Sequence, residues 1–404
     1  MTQTNTRIAI LGAGPIGLEA ALAAAERGLD FTVYEAASSV GGYVRRWGHV
    51  RLFTPWSMNV SGRVARALER GGESRPSGDS LPTGHELADR LLEPVAALPE
   101  LSGRLRFGTR VLEVGREGLL KHEAIGSAER ARRPFRLLVR APDGRDVVEN
   151  AETVIDCTGN HGNPNRLGDG GISAPGEEAL DGQIVRYLPK LGEEHREWAG
   201  RTLLLTGSGH SAQTAARDLA EFAREAPGTR VVWAIRNPDP DFGAVHADPL
   251  PERAALNATA LELARGASPA IEVRTGRVTE ALAARDRRIA VFLRNGDAEE
   301  IVVDRVLALN GGVGDASIYR QLQVHECYAT CGPIKLAATL LGEAGGGDCL
   351  TQPDHAPDTL VNPEPGFFIL GAKSFGRNSQ FLLRIGWQQV DDVFDSLLPQ
   401  PAAT

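Results

Sequence analysis

The chain of 404 residues is poor in sulfur: four cysteines and two methionines. Cys157, Cys327, Cys331 and Cys349 are too sparse for a disulfide framework. Cys327-x-x-x-Cys331 is one residue longer than the CxxC of dithiol oxidoreductases, and the neighbouring His325 leaves any zinc site without an evident fourth ligand. The thiols therefore read as buried or bystander groups, and no metal is expected. Lysine is scarce as well, limited to Lys121, Lys190, Lys335 and Lys373. No run of 18 or more apolar residues occurs, so no membrane span is expected. The first residues lack a charged segment followed by a long apolar region, so the expected location is cytoplasmic. Net charge is −8 with no basic patch of note, which argues against nucleic acid as a partner. No nucleophile–base–acid triad or carboxylate dyad stands out.

What is abundant is glycine, 46 residues, within an ordinary globular composition of 42% apolar and 24% charged residues. Length predicts two to three domains. Arg7 to Glu35 organises the rest. An apolar run, Ile8 to Leu11, reads as a buried strand. Gly12-x-Gly14-x-x-Gly17 follows at once, with Pro15 and Ile16 inside the turn. An Ala-rich helix from Leu18 to Arg27 comes next, then a strand from Phe31 to Tyr34 that stops at Glu35. Gly12 permits a tight turn, Gly14 lets a pyrophosphate approach the backbone, and Gly17 lets helix and strand pack closely. The helix N-terminus directs free N–H groups at phosphate, and Glu35 can accept from a ribose diol. The predicted element is a dinucleotide-binding βαβ unit.

Gly41-Gly42 lies six and seven residues beyond the acid and allows close backbone approach to the same cofactor. The segment after it, with Arg45, Arg46, Trp47, His49, Arg51, Phe53, Trp56, Met58 and Asn59, lacks periodicity and reads as a loop with short helical pieces, suited to a pocket wall. Ser61 to Arg70 reads as a helix, and Thr83-x-x-Glu86 as the capping box of another. Short strands at 104–107, 111–114, 135–140 and 146–149 precede an apolar strand, 153–157, that ends at Thr158-Gly159.

The plan then repeats. Arg201 to Thr206 is a strand, Gly207-x-Gly209-x-x-Ala212 follows with His210 and Ser211 inside it, and a helix runs on to Arg224. The next strand, Arg230 to Ile235, ends at Arg236 rather than an acid. An acid there repels a 2′-phosphate, whereas Arg grips one, so NADPH is expected over NADH. Strands at 271–274, 288–293 and 300–303, with an Asn295-Gly296 turn, lead to a buried strand from Val306 to Leu309 and the glycines Gly311-Gly312. A last strand, 366–370, ends at Gly371-Ala372-Lys373-Ser374, and a helix is predicted from Asn378 to Leu398. Two copies of one plan imply two dinucleotides, or one and a relic site.

With those residues in view, the chain resembles the two-dinucleotide-binding-domain flavoproteins, and within them the flavin-containing (class B) monooxygenases. The resemblance rests on Gly12-x-Gly14-x-x-Gly17, Glu35-x5-Gly41-Gly42, Thr158-Gly159-x4-Pro164, Gly207-x-Gly209-x-x-Ala212 and Gly371-Ala372-Lys373-Ser374, and spans most of the chain. It implies an α/β fold with two Rossmann-like domains of the glutathione/thioredoxin-reductase kind, each with a parallel sheet and a small antiparallel meander. FAD would occupy residues 1–165, NADPH residues 178–325, and residues 326–404 would return to complete the FAD domain. The implied cofactor contacts are Gly12, Gly14, Pro15, Ile16, Gly17, Glu35, Gly42, Trp47, Val111, Thr158, Gly159, Gly371 and Lys373 for FAD, and Gly207, Gly209, His210, Ser211 and Arg236 for NADPH. Asn59 resembles the family's Asn beside the flavin and is the candidate catalytic residue; a loop-capping role is the alternative. His161, after Thr158-Gly159, is a weaker candidate. Two features depart from the pattern. The family's F-x-G-x-x-x-H stretch is here Leu180-Asp181-Gly182-Gln183-Ile184-Val185-Arg186, and the aromatic after Gly-Gly is displaced to Trp47.

The expected activity is NADPH-dependent oxygenation of a small-molecule amine, sulfide or ketone by O2 through a flavin C4a-hydroperoxide. The alternative is a flavoprotein reductase or oxidase without oxygen transfer, with Cys327 and Cys331 as a conceivable redox pair; a flavoprotein sensor is a third class. A homodimer is compatible with all three.

Overall fold

The computed structural model describes residues 7–342 and 356–397, so Cys349 and the helix end expected at Leu398 lie outside the described residues. The chain forms two compact units, one from residues up to Asn163 and from Val313 onward, the other from Pro164 to Gly312. The second unit thus starts and stops about a dozen residues earlier than the 178 and 325 read from sequence. The reason is local pairing: Pro164 and Gly312 form an antiparallel bridge, and the Asn165 N–H donates to the Gly311 carbonyl at 2.9 Å. The chain therefore enters and leaves this unit at one point.

In the first unit, strands Phe367–Ile369, Thr153–Asp156, Arg7–Leu11, Asp30–Tyr34 and Leu105–Arg106 lie side by side in that order, all parallel. A parallel sheet is covered on both faces, so its strands are almost wholly apolar. Alternate residues divide between the two covers. Ile8, Ile10, Val33, Ile155 and Phe368 belong to the cluster that includes helix Pro15–Glu26. Ala9, Leu11, Tyr34, Val154 and Phe367 join Val114, Phe135, Leu137 and Val139 of the antiparallel meander Arg110–Arg116, Phe135–Arg140, Asp146–Ala151.

Helix Pro15–Glu26 is buried on nearly every side, including Glu19. The Glu19 carboxylate survives there because it is paired: it accepts from the Ser61 hydroxyl and from the Arg63 guanidinium, each at 2.6 Å. Arg63 also reaches Glu26 at 2.9 Å and Asp391 at 2.6 Å. One guanidinium thereby joins helices Pro15–Glu26, Gly62–Arg70 and Leu383–Leu397. The last of these begins five residues later than the expected Asn378, because the Asn378 side chain accepts the Gln380 N–H at 2.9 Å and holds a turn instead.

In the second unit, strands Ile271–Thr275, Arg230–Ile235, Thr202–Thr206, Arg305–Ala308 and Ile184–Val185 form another all-parallel sheet. Its meander is Val278–Arg285, Arg288–Asn295 and Asp297–Val303. The first strand of that meander and helix Pro251–Ala264 escaped the sequence reading. VTEALAAR carries Ala, Leu and Glu, which favour helix locally. Seven cross-strand pairings with Arg288–Asn295 and the burial of Thr279 and Leu282 override that preference. Among the described residues, no helix is long and apolar enough to cross a membrane.

Candidate functional site

The carboxyl end of strand Arg7–Leu11 opens into the first glycine turn. Gly12 has φ of +96°, and a Cβ there would stand 2.9 Å from the Cys157 carbonyl oxygen. At Gly17 a Cβ would overlap the Gly12 carbonyl oxygen, whereas at Gly14 it would meet nothing within 4 Å. Two of the three glycines are therefore demanded by the protein's own packing. The third faces open space, which is the property a phosphate-binding turn requires. Helix Pro15–Glu26 starts at Gly14 with no side-chain cap. Two nearby helices are capped by contrast: Ser61 accepts from the Val64 N–H at 2.9 Å, and Thr83 with Glu86 completes the expected box. The uncapped start leaves first-turn N–H groups available to an anion.

Glu35 braces this cradle. Its carboxylate accepts from the Ala13 and Ala37 N–H groups, both at 2.8 Å, while Gly42 passes so close that a Cβ would sit 3.4 Å from Oε1. Gly371 lies over the helix start, where a Cβ would meet Ile16 at 3.2 Å. The Val111 side chain belongs to the meander core opposite Val139.

Beyond Gly41-Gly42, Tyr43 and Trp47 gather around His161 of the Thr158-Gly159 turn, each ring centroid 6.3 Å from the imidazole. Trp47 is seated by Gly84, where a Cβ would approach its ring within 2.6 Å. The indole Nε1 of Trp47 is buried with no hydrogen-bond partner. His161 is itself exposed at the turn; desolvation by the protein packed around it, with Arg46 adding to it, shifts its imidazole below the usual range. An aromatic wall with one orphaned donor is an incomplete polar site as it stands.

Lys373 is placed differently from an exposed cofactor contact. Its ammonium is buried and donates to Asp156 Oδ2 at 2.6 Å, to the Asp315 carbonyl at 2.8 Å and to the Thr158 hydroxyl at 3.2 Å. Asp156 in turn accepts the Thr158 N–H at 3.0 Å and hydroxyl at 2.6 Å. Lys373 thus fixes the turn that carries Thr158 and Gly159. Asn59 is buried, and its amide donates to the Thr54 and Pro55 carbonyls, both at 2.8 Å, while Oδ1 accepts from the Thr54 hydroxyl at 3.0 Å. Both of its donors are spent on its own loop.

The second cradle reproduces the first. Gly207 has φ of +104° and a Cβ there would overlap the Leu309 carbonyl; Gly209 faces nothing within 4 Å; Ala212 is fully buried. Helix His210–Glu225 again starts without a side-chain cap. The Trp233 indole donates to the Gly207 carbonyl at 2.8 Å, and the Gln213 amide ties the Ser208 and Phe242 carbonyls together, both at 2.9 Å. His210 and Ser211 are both exposed; partial desolvation, aided by Arg253, lowers the His210 imidazole. Arg236 is exposed at the strand end and joins no ion pair among the described residues.

The thiols differ sharply. Burial, then the Asp156 charge, raises Cys157. Cys327 is lowered by hydrogen bonds from the Thr330 hydroxyl and the Thr330 and Ala329 N–H groups. In Leu180–Arg186, Arg186 pairs with Asp181 at 2.6 Å and with buried Glu177 at 3.0 Å. Glu177 in turn caps the Leu167 and Ala174 N–H groups.

Residues 10–67 match the family described as NAD(P)-binding Rossmann-like domain. A curated relative, the multifunctional alkene reductase/demethylase OYE of Caballeronia cordobensis, is 32% identical over 158 residues, 38% of this chain. The match spans only a fifth (20%) of that protein's length. Among solved structures, the bacillithiol disulfide reductase Bdr (YpdA) of Bacillus cereus superposes with a TM-score of 0.68 at 19% identity, covering 97% of this chain and 98% of its own. The ornithine N-hydroxylase of Kutzneria sp. 744, solved with reduced FAD, NADP+ and L-ornithine, superposes with a TM-score of 0.64 at 14% identity, covering 97% and 99%. The fold is that of the two-dinucleotide-binding-domain flavoproteins, a fold shared by thiol-disulfide reductases and monooxygenases.

Proposed function

We propose that the chain is an FAD- and NADPH-dependent oxidoreductase that transfers oxygen from O2 to a small-molecule amine, sulfide or ketone. The observation that carries the reading is the duplicated cradle: each has a second glycine facing open space and an uncapped helix start. Gly12, Gly14, Pro15, Ile16 and Gly17 suit a pyrophosphate, Glu35 a ribose, and Gly42, Trp47, Thr158, Gly159 and Gly371 the remainder of FAD. The orphaned indole N–H of Trp47 is a donor that such a group would satisfy. Val111 and Lys373 serve from behind, as core and as turn anchor. Gly207, Gly209, His210, Ser211 and Arg236 suit NADPH.

When bound, NADPH supplies hydride and FAD a two-electron carrier open to O2. The chain's own contribution is position and exclusion of water. The Tyr43–Trp47–His161 wall is aromatic, and its imidazole is biased toward the uncharged form. Asn59 enters through Oδ1, which keeps a lone pair after accepting from Thr54. Oxygen transfer is favoured over disulfide reduction by the thiols, since Cys157 is held in its protonated thiol form and Cys327 and Cys331 lack the CxxC spacing. The second reading, a reductase or oxidase without oxygen transfer, draws on the lowered Cys327 and the likeness to the disulfide reductase.

The test is turnover of purified protein with NADPH under labelled O2 and panels of amines, sulfides and ketones. Label in the product supports the reading. Stoichiometric hydrogen peroxide with unlabelled products sinks it. Unchanged NADPH oxidation in the Cys327→Ser, Cys331→Ser double variant removes the thiol alternative.

A further inference from the structure

Arg236 is visible from sequence as the base at the end of strand Arg230–Ile235, but the fold supplies a companion that spacing does not reveal. Strand Ile271–Thr275 runs beside it with Thr275 opposite Ile235. Past that register the chains stay clasped: the Arg277 N–H donates to the Ile235 carbonyl at 3.0 Å and the Gly276 N–H to the Asn237 carbonyl at 3.4 Å. Arg236 is the residue between those two acceptors. Gly276, at φ of +65°, makes the approach possible; a Cβ there would stand 3.2 Å from Asn295 Nδ2 and 3.6 Å from the Pro238 side chain. Arg236 and Arg277 therefore leave the backbone from one knot.

Both guanidinium groups are weakly committed. Arg236 has no ion pair among the described residues. Arg277 is 26% exposed and, among the described residues, its one carboxylate contact is Glu299 at 3.8 Å, a separation worth little at a surface. Glu299 makes its short contact with Arg274 instead. The knot sits at the carboxyl end of the second strand of the βαβ unit, where such units hold the adenosine ribose. A phosphate monoester there carries about −1.5 to −2 charge, more than one guanidinium balances.

We propose that Arg236 and Arg277 grip the 2′-phosphate of NADPH as a pair, Arg277 being the second specificity residue. This rests on the NADPH reading of the second unit. The test is calorimetric binding of 2′,5′-ADP and of 5′-ADP to the full-length protein, which needs neither flavin nor turnover. Wild type is expected to prefer 2′,5′-ADP. Arg277→Ala is expected to weaken 2′,5′-ADP about tenfold, the loss of one charge-assisted contact, with 5′-ADP unchanged. Arg277→Lys should lose less, and the double variant with Arg236→Ala should lose more than either single. Arg277→Gln, checked by melting temperature, repeats the measurement if Arg277→Ala folds poorly. Unaltered 2′,5′-ADP affinity in Arg277→Ala and Arg277→Gln, with Arg236→Ala weakened, overturns the pair and leaves NADPH standing. Equal affinity of wild type for the two nucleotides overturns both.

Discussion

Single residues divide by whether the protein or a ligand dictates them, and the glycines of the first cradle separate the two cases. A methyl at Gly17 collides with the Gly12 carbonyl, while a methyl at Gly14 meets only open space. Gly17→Ala is therefore expected to lower the melting temperature by several degrees, as overpacking costs about 1–3 kcal/mol. Gly14→Ala is expected to melt like wild type yet take up FAD poorly, read from flavin absorbance after gel filtration. A Gly14→Ala protein that holds flavin normally would remove the pyrophosphate from this turn. Lys373 offers a contrasting residue. Its ion pair with Asp156 has both side chains 1% exposed or less. Lys373→Met strands a buried carboxylate and should cost about 3–5 kcal/mol in urea unfolding, and adding Asp156→Asn should recover part of it. Equal stabilities of single and double variants would mean the two groups are not coupled.

At the level of elements, side chains that bridge strands give the first unit its pH response. Glu149 of strand Asp146–Ala151 accepts from the Tyr34 hydroxyl at 2.8 Å and pairs with Arg106. Burial pushes its carboxyl up, but the Arg106 and Tyr34 hydrogen bonds outweigh that and hold it below its ordinary 4.5. A carboxyl lowered in the folded state gives stability that is complete above 4.5 and lost as pH falls through its folded value. Denaturant midpoints measured downward from pH 5 should fall more steeply for wild type than for Glu149→Gln; identical slopes would exclude the bridge as a source of acid sensitivity.

Such bridges mark the boundary of what sequence reveals. The two βαβ units, the capping box and Arg236 were legible because each signal lies within about thirty residues and has one physical meaning. Strand Val278–Arg285 was not, since its propensity points to helix and only its neighbour decides otherwise. Nor was the use of Arg186 where a family His was expected: its partner Glu177 lies only nine residues away in sequence, but the caps Glu177 provides appear only once the loop is folded. The pairing of Lys373 with Asp156 spans 217 residues, and no spacing rule reaches that far. Arg277 became visible only through the backbone clasp to Ile235 and Asn237.

At the scale of the whole molecule, the chain leaves the first unit after Asn163 and returns at Val313. The second unit is thus one continuous segment whose sheet, meander and core, including Leu204, Val232, Ile289, Val291 and Val306, all lie within residues 164–312. The first unit is split. Its N-terminal piece lacks the edge strand Phe367–Ile369, helix Leu383–Leu397, and Glu364. Glu364 is fully buried between Arg116 at 2.6 Å and Arg130 at 2.8 Å. Without it both guanidinium groups keep their burial and lose the one carboxylate they have among the described residues, a penalty of about 3–5 kcal/mol set against a total stability of about 5–15 kcal/mol. The apolar faces of Ile155 and of helix Pro15–Glu26, which the returning strand and helix cover, add to it. Excised residues 164–312 are therefore expected to melt cooperatively by circular dichroism and to retain 2′,5′-ADP binding, while residues 1–163 alone show no cooperative transition. Co-expression with residues 313–404 should restore a transition to the N-terminal piece, because the missing strand, helix and carboxylate arrive together. A cooperative melt of residues 1–163 alone would show that the returning segment decorates a core already complete rather than finishing it.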